Sequence, residues 1–160
     1  MRLVIAAVGR LKDGPERDLF DRYQSRVDAS GRSLGWGPLK VVEIPESRAA
    51  DTAARKAEEA ERLLVKAGSD AARVVLDETG KQLSSEAFAK FLQGERAKGI
   101  GALAFLIGGP DGHGAKAVDG AVLKLSLGAM TLPHMMARII LAEQIYRAAT
   151  ILTGHPYHRS

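Results

Sequence analysis

The sequence contains no cysteine. Disulfides, thiolate metal sites and a cysteine nucleophile are therefore excluded by composition alone. It also lacks an apolar run close to the roughly 18 residues that a membrane-spanning helix needs, so we expect no membrane anchor of that kind. The apolar run at the N-terminus meets Arg10 and Lys12 too early for a signal peptide, and it is typical of a first strand. These absences permit a cytoplasmic protein, which is the expectation.

The composition that is present is ordinary for a globular domain. Hydrophobic residues make up 46% and charged residues 26% of the 160 residues. A chain of this length buries roughly 70% of the surface that its unfolded form exposes. We therefore expect residues 1–160 to form a single domain. The formal net charge is +4, which favours a polyanionic partner, although many basic proteins bind none.

Strand-like and helix-like segments alternate along the chain. Five short runs rich in Val, Ile and Leu predict buried strands: RLVIAAVG, LKVVEI, ARVVLD, ALAFLIG and AVLKLSLG. Helices are predicted over residues 15–27, 51–67, 85–93 and 133–152, and a loop over residues 29–39. The alternation predicts an α/β fold with a mostly parallel sheet flanked by helices.

Two glycine-containing turns each follow a strand-like run. The first lies in FLIGGPDGHG, residues 105–114, and the second in LSLGAMTLPHMMARIILAEQIYRA, residues 125–148. Open α/β sheets bind ligands at the carboxyl ends of their strands, and glycine lets a ligand contact the backbone. A plain tight turn remains the alternative for GGPDG, because Pro-Asp-Gly is common turn chemistry. Together the turns favour one binding site built from two loops.

Several familiar site patterns fail. The P-loop pattern requires a lysine where Ala115 follows Gly114. GHGAKA, residues 112–117, fits GxGxx[GA], but it does not directly follow a strand and no acid-terminated strand lies about 20 residues further on. His155 and His158 form an HxxH pair, which supplies too few ligands for zinc, and GxSxG is missing. We therefore expect no metal site and no serine-hydrolase chemistry.

Two features remain, which are charged pairs on the predicted helices and the C-terminal tail, residues 154–160. Asp51 with Arg55, Glu58 with Arg62, and Glu143 with Arg147 have i,i+4 spacing, which is typical of solvated ion pairs. The tail GHPYHRS combines imidazoles, a phenol and a guanidinium within a few residues. Such groups stack on bases and bind phosphate. An inert frayed terminus is the alternative, and we favour a function.

These motifs occur in an order that resembles a known family. LDETGK (residues 76–81), FLIGGPDG, LSLGAMTLPHMMARIILAEQIYRA and HPYHR, together with MRLVIAAVGRLK and VVEIPESR, resemble the ribosomal RNA large subunit methyltransferase H family, of the SPOUT class, from end to end. The resemblance implies an S-adenosylmethionine-dependent enzyme that methylates N3 of a pseudouridine in 23S rRNA, acting as a homodimer on the assembled ribosome. It also implies a SPOUT-type fold with a C-terminal trefoil knot. The periodicity of the sequence could not indicate such a knot, and knots are very rare among protein folds.

The resemblance also assigns roles to individual residues. The cofactor contacts fall on Leu76, Gly108, Leu127, Gly128, Ala129, Met130, Thr131 and Leu132. Leucines suit an adenine slot, and backbone groups can read its edge. The tail residues Tyr157, His158 and Arg159 are expected to reach the site of the partner subunit, where His158 accepts a proton and Arg159 stabilises an anion or holds phosphate. His134 is the alternative candidate for the base.

Two positions depart from the family pattern, and two rival functions stay open. Gly128 replaces a common serine, and His113 stands where an apolar residue is usual; backbone contacts should survive both changes. The first rival is a SPOUT methyltransferase that acts on another RNA, such as a transfer RNA. The second is a non-catalytic ribosome-binding protein, for which the cofactor loops would be unnecessary.

Overall fold

The computed structural model describes residues 1–158, in which a five-stranded parallel sheet lies between two layers of helices. The elements are β1 Arg2–Val8, α1 Pro15–Gly31, β2 Leu39–Ile44, α2 Thr52–Ala67, β3 Ala72–Gln82, α3 Ser85–Ala97, β4 Ala102–Ile107, α4 Ala115–Val118, β5 Leu123–Ser126 and α5 His134–Thr153. The α/β class with a mostly parallel sheet is confirmed. The predicted loop 29–39 is shorter than expected, because α1 and the 3-10 turn Arg32–Leu34 occupy its first half.

The strand order is β2-β1-β4-β3-β5, and every neighbouring pair is parallel. Side chains alternate between the two faces of each strand. In β1, Leu3 and Ile5 pack with α1, α3 and α5, whereas Val4 and Ala6 pack with α2 and α4. Because both faces are covered, the central strands β1 and β4 are apolar almost without interruption.

Polar side chains set the starts of two helices. Asp51 accepts a hydrogen bond from the N–H of Ala54 at the start of α2, and Ser84 accepts one from the N–H of Ala87 at the start of α3. Asp51 therefore serves as a cap, and Arg55 donates elsewhere, so the expected pairing of these two residues is not the one observed. The other two expected ion pairs form within their helices.

Strand β3 contains the irregularity that shapes the carboxyl end of the sheet. Leu76 and Lys81 both pair with Leu125 of β5, so residues 77–80 bulge out of the ladder between them. A Cβ on Gly80 would lie 2.7 Å from the carbonyl oxygen of Lys124. Only glycine permits this approach of the two backbones, and the bulge stands beside the ends of β4 and β5.

A buried arginine ties α5 to the same end of the sheet. Arg138 is 2% exposed, and it donates to the carboxylate of Glu43 and to the carbonyl oxygens of Val8 and Gly9, at 3.0 and 2.7 Å. A buried charge needs such partners. The first turns of α5 are thereby held against the ends of β1 and β2. No helix within residues 1–158 is long and apolar enough to cross a membrane.

Candidate active site

A cavity of about 450 Å³ opens at the carboxyl ends of β3, β4 and β5. Its walls are the bulge of β3, the turn after β4, the loop after β5 and the start of α5. Among the predicted cofactor residues, those on the walls are Leu76, Gly108, Leu127, Gly128, Met130, Thr131 and Leu132. Ala129 is exposed and does not line the cavity. The two glycine-containing loops therefore meet around one space, as a site built from two loops requires.

The turn after β4 packs on α2 through positions that exclude any side chain. The N–H of Gly112 donates to the carbonyl of Gly109 at 2.9 Å and closes the turn. A Cβ on Gly109 would lie 2.7 Å from a carboxylate oxygen of buried Glu59, and one on Gly114 would lie 2.5 Å from the carbonyl oxygen of Lys56. Glycine is needed here because the backbone of the turn contacts α2 directly.

An ion pair holds the tip of the same turn. The Nε of Arg55 donates to Asp111 at 2.6 Å, and its other nitrogens donate to the carbonyl oxygens of Ala49 and Ala50 and to the hydroxyl of Thr52. The bond from Arg55 keeps the pKa of the Asp111 carboxyl below its ordinary value. The turn is thus tied both to the start of α2 and to the segment that precedes it.

His113 is the residue that joins two walls of the cavity. It is 9% exposed, and its Nε2 lies 3.1 Å from the backbone nitrogen of Gly108 and 3.1 Å from the carbonyl oxygen of Leu76. Burial lowers the pKa of the imidazole, which favours its neutral form. The apolar residue that the family pattern leads one to expect here could form neither contact.

The loop after β5 is closed by a single hydroxyl. Ser126 Oγ accepts from the N–H of Gly128 at 3.2 Å and donates to the carbonyl of Gly128 at 3.0 Å. Gly128 has a φ of 132°, a conformation that favours glycine. Beyond it, Met130 is 83% exposed at the edge of the cavity. This wall therefore offers backbone groups and apolar side chains to a ligand.

The tail folds back on α5 through Tyr157. The phenol donates to Glu143 at 3.1 Å, and the ring lies 4.6 Å from that of Tyr146 and 4.8 Å from the guanidinium of Arg147. Burial, the neighbouring Tyr23 and Glu143 raise the pKa of the phenol. Tyr157 is therefore protonated at neutral pH, and it acts as an anchor for the tail.

Residues 154–158, the described part of the tail, lie apart from the cavity within one chain. His158 Nε2 lies 2.7 Å from a carboxylate oxygen of Glu86 on α3, and Arg159 lies outside the described residues. Neither Tyr157 nor His158 lines the cavity, whereas His134 does. The roles predicted for the three tail residues stay predictions.

Sequence reasoning did not assign two parts of the cavity to the site. Residues 77–79 line it because β3 bulges there, and Lys56 lines it because the turn after β4 packs on α2. The run Asp-Glu-Thr-Gly, residues 77–80, directly follows a buried apolar run and was a usable signal for the bulge. Nothing in the sequence indicated Lys56. Within residues 1–158 no group of three His, Asp or Glu side chains is arranged to hold a metal ion.

Comparison with known proteins places this sequence in a family. The sequence model described as "Predicted SPOUT methyltransferase" matches residues 1–158. Two proteins named Ribosomal RNA large subunit methyltransferase H, from Xanthobacter autotrophicus and Bradyrhizobium diazoefficiens, are 52% and 50% identical to this chain over 160 residues and 100% of both chains. Among solved structures, a probable methylase family protein from Haemophilus influenzae Rd KW20 is 11% identical, with a TM-score of 0.46 over 99% of this chain and 70% of that one. On the strength of the full-length family match and of relatives that share half of its residues, this chain belongs to the SPOUT methyltransferase family.

Proposed function

We propose that the chain transfers a methyl group from S-adenosylmethionine to N3 of a pseudouridine in the 23S rRNA of the assembled ribosome. The observation that carries the proposal is the cavity at the carboxyl ends of β3, β4 and β5, whose walls include nearly all the predicted cofactor residues. The names of the matched relatives support an RNA target in the large ribosomal subunit. Neither a transfer RNA target nor a non-catalytic role is favoured by them. A cytoplasmic location is part of the proposal, since ribosomes are there.

The cavity fits the proposed cofactor in size and chemistry. Its volume of about 450 Å³ lies within the roughly 300–1,000 Å³ that is usual for small-molecule sites. Leu76, Leu127 and Leu132 supply apolar surface for an adenine ring. Glu78 on the bulge of β3 supplies a carboxylate for the positive charges of the cofactor, whereas Asp77 beside it accepts from Thr79 and pairs with Lys124.

The chemistry requires orientation and removal of one proton. S-adenosylmethionine, when bound, would supply an electrophilic methyl group on its sulfonium sulfur and would leave as the neutral thioether. The loops of this chain would orient the cofactor toward N3, His158 would accept the N3 proton, and Arg159 would stabilise the developing anion or hold a phosphate. Tyr157 acts through the tail as a positioning residue, because its protonated phenol is bound to Glu143.

A second copy of the chain completes the proposed site. Among residues 1–158 the cavity is lined by none later in the chain than Ala137, and the described part of the tail is bound to α3 and α5 of its own chain. We therefore propose a homodimer in which each tail serves the cavity of the partner. Met135 and Met136, 39% and 40% exposed on the first turn of α5, supply apolar surface near the cavity.

The first test is calorimetric titration with S-adenosylmethionine. A Cβ on Gly108 would lie 3.0 Å from Gly112 and 3.2 Å from Nε2 of His113, so Gly108→Val should abolish binding. Gly94→Ala is the matched control, because a Cβ there would meet nothing within 4 Å, and it should bind like the wild type. Failure of the wild type to bind would argue against the proposed activity. If Gly108→Val bound S-adenosylmethionine as tightly as the wild type, the cofactor would not contact the turn after β4.

The proposed dimer is tested by mixing two inactive variants. The Gly108→Val variant has a defective cavity and an intact tail. The variant that lacks residues 157–160 has an intact cavity and a defective tail. If the tail acts on the partner, random reassortment yields half heterodimers, each with one working site, and about a quarter of the wild-type methylation should return. No recovery, with heterodimers demonstrated by mass spectrometry, would argue for a tail that acts within its own chain.

We also propose that the C-terminal part forms the trefoil knot that the resemblance implies. Its support is that the chain crosses from β4 over β3 to the edge strand β5, before α5 returns to pack on α1 and α3. Mechanical extension of the chain from its two ends measures the knot, since a tightened knot shortens the final contour length. Extension to the full length of 160 residues would argue against it.

A further inference from the structure

Two backbone groups in the cavity wall compete for one side-chain nitrogen. Nε2 of His113 lies 3.1 Å from the backbone nitrogen of Gly108 and 3.1 Å from the carbonyl oxygen of Leu76. The first group is a donor and the second is an acceptor. A ring nitrogen of neutral imidazole either carries a proton or accepts one, so His113 can satisfy only one of the two groups at a time.

The surroundings of His113 favour its neutral form and leave its tautomer open. The ring is 9% exposed, and its Nδ1 is buried without a hydrogen-bond partner among residues 1–158. Burial lowers the pKa below the ordinary value of 6.5, the backbone carbonyl of Leu76, the charge of Asp77 and the backbone carbonyl of Leu106 oppose this, and the charge of Lys56 on α2 adds to it. The two neutral tautomers therefore present different hydrogen-bonding groups to a ligand.

The two backbone groups do not have equal need of the histidine. Among the described residues the N–H of Gly108 has His113 as its acceptor, and an N–H donates only once. A carbonyl oxygen has two lone pairs, and a buried N–H left without a partner is the rarer fault in proteins. Each neutral tautomer nevertheless leaves one buried N–H without a partner among the described residues, which is Nδ1–H when Nε2 accepts from Gly108 and the N–H of Gly108 when Nε2 carries the proton. The protein alone therefore balances the two tautomers, and a ligand that donates to the carbonyl of Leu76 selects the one in which Nε2 accepts from Gly108.

We propose that His113 is a positioning residue whose Nδ1–H tautomer holds the N–H of Gly108 and reserves the carbonyl of Leu76 for the amino group of the cofactor's adenine. The inference rests on the proposed function, since it names how that cavity recognises its ligand. The opposite tautomer would occupy the carbonyl of Leu76 with Nε2–H and leave the cavity without this acceptor. The imidazolium would do the same and would also lose the bond to Gly108.

The tautomer is measured directly by nitrogen NMR of protein labelled with ¹⁵N-histidine. The chemical shift of each ring nitrogen distinguishes its protonated from its unprotonated state. His113→Leu identifies the signals of His113, and His134→Gln identifies those of the other histidine that lines the cavity. With S-adenosylmethionine bound, Nε2 of His113 should be unprotonated. A proton on Nε2 in the bound protein would overturn the proposal.

The second readout is the affinity for S-adenosylmethionine as a function of pH. A protonated Nε2 occupies the carbonyl of Leu76 that the ligand needs, so affinity should be constant near neutral pH and fall as the pH drops through the pKa of His113, which burial holds below its ordinary value. Loss of one such hydrogen bond predicts a decrease of about fivefold to tenfold between about pH 7.5 and about pH 5. His134→Gln should keep this dependence, and His113→Leu should lose it.

A conservative variant separates recognition from simple packing. In His113→Gln the amide oxygen can accept from Gly108 but does not titrate, so affinity near neutral pH should exceed that of His113→Leu and should not vary with pH. Equal pH dependence in wild type and His113→Leu would overturn this inference alone, since the cofactor would still bind. Absence of any binding by the wild type would overturn the proposed function and this inference with it.

Discussion

The cavity and the tail are built from different parts of the polypeptide. The cavity is shaped by backbone, through glycine turns that approach α2 and β5 too closely for any side chain. The tail is held by side chains, through Tyr157 on Glu143 and His158 on Glu86. A site made from backbone depends on steric fit, whereas one made from side chains depends on particular hydrogen-bond partners. Substitutions in the two regions should therefore impair different properties of the protein.

Removal of the tail should have the largest effect on activity. Deleting residues 157–160 removes the proposed proton acceptor and cation, and methylation of ribosomes should fall by at least about a hundredfold. S-adenosylmethionine affinity, measured by calorimetry, should stay within about threefold, because the described tail residues Tyr157 and His158 do not line the cavity of their own chain and the tail is proposed to act on the RNA substrate. Retained methylation would contradict the division between the two regions.

A methyl group added to the first turn should damage stability and cofactor binding together. In Gly109→Ala the new Cβ would lie 2.7 Å from a carboxylate oxygen of Glu59 and 3.2 Å from Val8. Such overpacking predicts a loss of about 1–3 kcal/mol in the free energy of unfolding, measured with urea. If both stability and affinity were unchanged, the turn would not depend on its contact with α2.

The hydroxyl of Tyr157 should matter less than the tail as a whole. Tyr157→Phe keeps the ring between Tyr146 and Arg147 but removes the bond to Glu143, which is worth about 1 kcal/mol. Methylation should fall by about fivefold to tenfold. Because the pKa of the phenol is raised, the wild-type rate should show no titration of Tyr157 between about pH 7 and pH 9. A phenylalanine variant as inactive as the deletion would show that the phenol acts on the substrate.

Replacement of a glycine outside the cavity should have the smallest effect, and it should raise the free energy of unfolding rather than lower it. Gly94 lies inside α3, where a Cβ would meet nothing within 4 Å. Gly94→Ala should raise the free energy of unfolding by about 0.5–1 kcal/mol, since glycine loses more backbone freedom in a helix. Thermal denaturation measures the change. A decrease in stability would mean that the free space around a new Cβ does not by itself decide whether a glycine of this chain can be replaced.

The element pattern was predictable because it depends on local sequence. The runs of Val, Ile and Leu marked the strands, and the predicted helix 51–67 contains all of α2 and its cap Asp51. The glycine-containing loops were also recognisable, since Gly-Gly-Pro-Asp-Gly after an apolar run has few structural uses. The end of α1 was missed because Gly31, next to Trp36, is accommodated by packing against that ring, which local propensity does not report.

The sequence by itself determined the alternation of strands and helices, the bare turns at strand ends and, through its motifs, the family. The tertiary structure decided the strand order, the bulge of β3, the bridge from His113 to Leu76 and Gly108, and the docking of Tyr157 on Glu143. The physical reason is distance along the chain. Local propensity and hydrophobic periodicity act over a few residues, whereas each of these features joins groups that only the folded sheet brings within hydrogen-bonding distance.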